Sequence, residues 1–167
     1  MVSSLKIYGS LVEALQDIGN SNGCYSELTL THDSENHFDQ GCFERYNSQL
    51  ENDLMNKGVD EETSNIVRII MSELTSNAYR HGVSKDFDEI RIMSYLSDHG
   101  VLVGTRQNKS FLKNDQIKLL GEGKPVPSTY LVKDRLSSNR GTEFITDHAT
   151  GLLILKKEKE IYASKKF

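Results

Sequence analysis

The sequence predicts an α+β fold, a two-layer α/β sandwich, and three observations carry that prediction. Two alternating runs, Glu89 to Leu96 (EIRIMSYL) and Val101 to Gln107 (VLVGTRQ), flank the turn Ser97-Asp98-His99-Gly100, the pattern of an antiparallel hairpin. Two amphipathic stretches precede it, Cys42 to Met55 and Asp60 to about His81, with apolar residues recurring every three or four positions. Two further runs, Gly151 to Lys156 and Ile161 to Lys166, close the chain around a charged turn. At 167 residues the chain has the length of one domain with a real core.

Before the hairpin, Leu5 to Ile18 places Leu5, Tyr8, Leu11, Val12, Leu15 and Ile18 at helical spacing. It reads as an amphipathic helix packed on its own domain, with docking to a partner or second subunit as the sharper alternative. Asn20-Ser21-Asn22-Gly23 breaks the chain. Tyr25 to Thr31 (YSELTLT) is a short strand, followed by a polar loop from His32 to Gly41. His32, Asp33, Glu35, His37 and Asp39 in that loop include metal-ligating types but lack fixed spacing. Phe43, Tyr46, Leu50, Leu54 and Met55 then give a core-facing helix, ended by Lys57-Gly58. Asp60 is the expected N-cap of the next helix, Glu61 and Glu62 suit its positive end, and Gly82 stands at its C′ position.

Lys109 to Asn139 has weak periodicity and holds both prolines of the chain, Pro125 and Pro127. A short helix is expected over Asp115 to Leu120 and another over Tyr130 to Leu136. Such a segment within a domain reads as a lid or binding loop. Gly123-Lys124 is not a phosphate loop, because Lys118 and Pro125 stand where that motif needs glycine and Ser or Thr. Arg140-Gly141-Thr142 opens a short helix, Thr142 to Ala149, whose start could bring backbone N–H groups to an anion. Asp147-His148 has no accompanying nucleophile.

Composition narrows the function classes. A net charge of −4 leaves no broad basic footprint, which argues against nucleic acid as a partner. Lys156, Lys157, Lys159, Lys165 and Lys166 are interleaved with Glu158 and Glu160, as on a solvated strand face. The two cysteines, Cys24 and Cys42, form no disulfide framework and no zinc spacing. The N-terminal apolar run is too short for a signal peptide, and no stretch approaches the roughly 20 apolar residues of a membrane span. A soluble, cytoplasmic protein without membrane contact is expected.

The stretch Met71 to Gly82 (MSELTSNAYRHG) stands apart. At about 100° per residue, Ile66, Val67, Ile70 and Leu74 form one apolar arc, and Glu73, Asn77 and His81 fall inside it. Burying an acid, an amide and an imidazole unpaired costs several kcal/mol. Either the fold or a ligand must meet them.

Glu73-Leu74-Thr75-Ser76-Asn77-Ala78-Tyr79-Arg80-His81-Gly82 is similar to the N box, E-L-x-x-N-A-x-x-H-G, of the GHKL ATPase domain. The order of elements around it also resembles that domain, the fold of sensor histidine kinases, gyrase and anti-sigma serine kinases. The His-Gly ending is most similar to the single-domain anti-sigma kinases of partner-switching systems. The resemblance implies a mixed, mostly antiparallel sheet with helices on one face over residues 23–167, preceded by a helical extension, residues 1–22. It implies ATP and Mg²⁺ as cofactors, with Asn77 as the Mg²⁺ ligand and Glu73 as catalytic base. Arg80 or His81 would stand near phosphate oxygens, though both also suit a helix C-terminus. It implies a protein partner, an anti-anti-sigma-like or sigma-like regulator, and a homodimer.

The sequence departs from that pattern in two places. Where the family has an adenine-reading aspartate after the hairpin, Arg106 or Gln107 stands here, followed by Asn108. Arginine is donor-only, whereas a glutamine carbonyl could accept a hydrogen bond. The second glycine box is reduced to Arg140-Gly141-Thr142-Glu143-Phe144, with Glu143 adding negative charge near any phosphate. The primary reading is a regulatory protein of anti-sigma-kinase type that binds a protein partner. Its alternatives are an active serine/threonine kinase and an unrelated α/β binding domain without nucleotide.

Overall fold

The computed structural model describes residues 5–19, 24–31, 40–82, 89–108, 111–126 and 141–167. Six strands are β1 (Lys6–Ile7), β2 (Cys24–Thr31), β3 (Glu89–Leu96), β4 (Gly100–Gln107), β5 (Gly151–Leu155) and β6 (Glu160–Lys166). The helices are α1 (Leu11–Asp17), α2 (Gln40–Asn56), α3 (Glu61–Gly82), α4 (Asn114–Gly121) and α5 (Gly141–His148). The strands form one mixed sheet in the order β1-β5-β6-β4-β3-β2, antiparallel except where β1 lies parallel to β5. The α+β fold with a two-layer sandwich is thus present. The proposed helix over Tyr130 to Leu136 and the loop from His32 to Asp39 lie outside the described residues.

Each strand sends alternate side chains to opposite faces, and two cores result. One face carries Ile90, Ile92, Val101, Val103, Leu152 and Ala163, covered by Leu50 and Leu54 of α2, Val67, Ile70, Met71 and Leu74 of α3, Leu120 of α4 and Ile145 of α5. The other carries Met93, Leu102, Leu153 and Tyr162, covered by Tyr8, by Ala14 of α1 and by Ile18 at its C-cap. Helices α2 to α5 therefore share one face, and α1 lies on the other.

The N-terminal stretch corrects the expected single helix from Leu5 to Ile18. Lys6–Ile7 instead extends as an edge strand, with the Lys6 and Tyr8 N–H groups donating to the carbonyls of Thr150 and Leu152 at 3.1 and 2.9 Å. The helix starts later because Ser10 caps it: its Oγ accepts from the Glu13 N–H at 3.1 Å, and Glu13 accepts from the Gly9 N–H at 2.8 Å. Leu5 and Ile7 thus follow a strand period, and only Leu11 onward follows the helical one. Residues of the expected 1–22 extension contribute a strand to the main sheet and a helix to its second face.

This module is tied down around Asp17. The Tyr8 hydroxyl donates to Asp17 Oδ2 at 2.7 Å and shares a 2.7 Å bond with Ser164 Oγ, while Lys166 Nζ lies 3.1 Å and Lys6 Nζ 3.5 Å from Asp17 Oδ1. The Tyr8 bond above all, then Lys166, holds the Asp17 carboxyl below its usual range, and burial pushes the Tyr8 phenol up. A carboxylate with a depressed folded pKa stabilises the fold above its unfolded value of about 4 and loses that contribution as pH falls through the folded value. Asp17→Asn is therefore expected to lower the urea midpoint at pH 7. The gap to wild type should close in acid, as parallel denaturation curves at the two pH values will check.

Candidate functional site

Helix α3 carries the predicted site and is well specified locally. Asp60 caps it, accepting from the Thr63 N–H at 2.8 Å and the Thr63 hydroxyl at 2.9 Å, which holds its own carboxyl below the usual range. The helix continues through Gly82, one residue beyond the expected end. Its neighbours fix which way each flank faces. On one side, α2 docks through Asn47, whose amide donates to the Arg68 carbonyl at 3.3 Å and Ser72 Oγ at 3.2 Å. Tyr46 anchors α2 over the β2–β3 side of the sheet, its hydroxyl meeting Ser94 Oγ at 2.8 Å and the Ser26 carbonyl at 3.0 Å.

At about 100° per residue, the buried arc of α3 runs from Thr75 and Ser64 through Met71, Ala78, Val67 and Leu74 to Ile70. Ser72 borders that arc on the α2 side. Asn77 and then Glu73 border it on the opposite side, where α3 meets α5. Both side chains are half-buried. Glu73 and Asn77 thus project along one flank, one turn apart, away from α2.

The direction of the elements brings other predicted residues to the same end. β4 runs antiparallel to β3, which follows α3, so Gln107 lies at the end of the sheet nearest the C-terminus of α3. α5 ends at His148, whose carbonyl accepts from Lys165 Nζ at 3.0 Å, shortly before β5 begins at the other end of the sheet. Its start therefore points toward the end that holds Gln107. Thr142 there is half-buried and donates through its hydroxyl to the Val126 carbonyl at 3.1 Å. Glu143, beside it, is exposed.

The register resolves the alternative between Arg106 and Gln107. Gln107 pairs with Ile90, points to the α3 face and is buried. Arg106 pairs with Arg91 and Glu160 on the other face, where its guanidinium lies 3.9 Å from Glu160 and is half exposed. Asn108 is exposed at the strand's end. Arg140 and the side chains of Arg80, His81 and Gly141 lie outside the described residues. His148 stacks on Phe144 with ring centroids 4.1 Å apart, a packing role for the His of Asp147-His148.

One residue of interest escaped the sequence reading. Thr105 precedes Gln107 by two positions on the same strand face, is fully buried, and its hydroxyl has no hydrogen-bond partner among the described residues. Buried hydroxyls are ordinarily paired. A Thr among Val101, Val103 and Gln107 with period two is the signal that could have found it.

Chemically, this end of the molecule offers hard oxygen donors at Glu73 and Asn77, hydroxyls at Thr105 and Thr142, and an amide at Gln107. Carboxylate and amide oxygens suit a hard divalent cation. The amide of Gln107 carries donors as well as an acceptor, so it differs in kind from an acceptor-only carboxylate. Among the described residues, no group of three or more His, Cys, Asp or Glu side chains is placed to hold a metal ion by itself, and no helix is long and apolar enough to cross a membrane. No family model matches the chain, and no curated protein matches it.

Proposed function

We propose that this chain is a regulatory domain of anti-sigma-kinase type, a GHKL-like domain that binds a protein partner and retains the cation-and-phosphate half of a nucleotide cleft. The observation that carries the reading is convergence. Asn77, Gln107 and Thr142, picked from three separate stretches of sequence, belong to elements that meet at one end of the helix–sheet layer. Glu73 and Asn77 would face the Mg²⁺ and phosphates, and the start of α5 would approach the phosphate chain. Asn77 and Glu73 would hold Mg²⁺, whose charge would offset that of the phosphates.

The base-reading half has different chemistry. Arg106 is turned to the other face, and the inward residue is the ambidentate amide of Gln107. Binding is therefore expected to depend on the phosphates rather than the base. Isothermal titration with MgATP, MgGTP and magnesium tripolyphosphate checks this. All three should bind weakly, with affinities within about tenfold of one another, a spread of 1.4 kcal/mol. Binding of MgATP alone would show that the base is read after all. Binding of none would remove the nucleotide from the account.

A further inference from the structure

The turn between β5 and β6 is built on a backbone conformation that ordinarily calls for glycine. Residues 156–159 reverse the chain, with the Lys159 N–H donating to the Lys156 carbonyl at 3.2 Å. Lys159 closes the turn at φ 59°, the one positive φ outside glycine among the described residues. That left-handed backbone strains a residue with a Cβ and suits glycine. A lysine held there at a cost to the fold points to a use for its side chain. The Gln107 N–H donates to the Lys159 carbonyl at 3.0 Å and continues the β4–β6 register, so Lys159 stands opposite Gln107. Ile161, two residues on, packs against the main core from that same face. Glu160 between them turns to the other face, where it accepts from the Tyr162 hydroxyl at 2.7 Å. The half-buried Lys159 reaches past the end of β4, its ammonium 3.4 Å from the Asn108 carbonyl. It therefore lies beside Gln107, at the end of the sheet toward which the start of α5 points. The other lysines of the turn are placed differently: Lys156 donates to Asn114 Oδ1 at the start of α4, and Lys157 is exposed.

We propose that Lys159 is a phosphate-binding residue of the cleft, its ammonium taking oxygens of the phosphate chain that would lie along the Asn77 flank. The inference rests on the nucleotide reading and adds a residue to it. Glu73 and Glu143 both bring negative charge to this end of the molecule, which a polyphosphate would meet as repulsion. An ammonium beside Gln107 offsets that charge, and lysine engages phosphate as a point charge without demanding a fixed fork geometry. The strained turn sets this ammonium at the mouth, because the side chain leaves the backbone on the α3 face at the last position before β6 begins.

Isothermal titration with magnesium tripolyphosphate, paired with urea denaturation of each variant, tests it. Lys159→Gly should weaken binding at least about tenfold and flatten its dependence on salt. The same variant should hold or raise the urea midpoint, since glycine relieves the turn. Lys159→Arg, which keeps the charge, should bind within about threefold of wild type. Lys157→Ala removes the same charge two residues away and should leave binding unchanged. Unchanged affinity in Lys159→Gly, where wild type binds and Asn77→Ala does not, overturns the inference and leaves the cleft reading standing. An equal loss in Lys157→Ala overturns it too, as does a loss in Lys159→Gly that comes with a lower midpoint. A wild type that binds no tripolyphosphate removes the cleft reading and this inference together.

Discussion

In Gly104→Ala, the urea midpoint is expected to fall by the equivalent of about 3 kcal/mol or more. Gly104 lies directly opposite Tyr162 on β6, and the tyrosine ring covers the place where a side chain would stand. A Cβ there would sit 2.2 Å from Tyr162 Cδ1 and 2.8 Å from the Ile161 carbonyl oxygen. Neither can easily give way. The ring is almost fully buried, its hydroxyl donates to Glu160 at 2.7 Å and reaches Met93 Sδ at 3.4 Å, and the carbonyl belongs to the sheet. Burial, then Glu160, pushes the Tyr162 phenol up, so it remains a donor across the working pH range. Equilibrium denaturation of Gly104→Ala in wild-type and Tyr162→Leu backgrounds checks the cause. The cost should shrink when the ring is gone and persist in part because the carbonyl clash remains.

The second large effect is expected at Leu74. It is almost fully buried, in the same cluster as Val101, Val103 and Ile92 of the sheet. Leu74→Ala should cost about 2–5 kcal/mol, the sum of lost burial and the cavity left behind. At roughly 2–4 °C per kcal/mol for a domain of this size, the melting midpoint should drop by several degrees or more. Leu74→Met, which nearly conserves volume, should stay within about 1.5 kcal/mol of wild type. Because Leu74 adjoins Glu73 in the chain and anchors the buried arc beside Asn77 on α3, the alanine variant should also loosen the flank that carries them.

Much of the fold was legible because local signals agreed with the global arrangement. The β3–β4 hairpin was marked by its turn, α2 by three-to-four spacing and Gly58, α3 by Asp60, and the β5–β6 pair by its charged turn. β1 was not legible: it is two residues long, and its partner β5 lies far along the chain. Tyr8 and Leu5 also happen to extend the helical spacing of α1. The face of Arg106 and Gln107 was hidden for another reason. Gly100 to Thr105 is buried on both faces, so no apolar–polar alternation fixed the parity. Only the pairing of Gln107 with Ile90 settles it. At the candidate site, Glu73 and Asn77 could be picked out because polar groups beside an apolar helical arc demand a partner. Thr105 could not, since threonine is an ordinary strand residue until its burial is known.

If the flank of α3 bearing Glu73 and Asn77 engages a magnesium-bound phosphate chain, as proposed, MgATP stabilises the folded protein. Melting curves with and without millimolar MgATP, for wild type and Asn77→Ala side by side, test it most directly. A ligand that binds only the folded state raises the midpoint. A modest rise is expected for wild type that disappears in Asn77→Ala, with the two midpoints close together in the absence of ligand. A wild-type midpoint that MgATP does not move, or a rise that survives in Asn77→Ala, would contradict it.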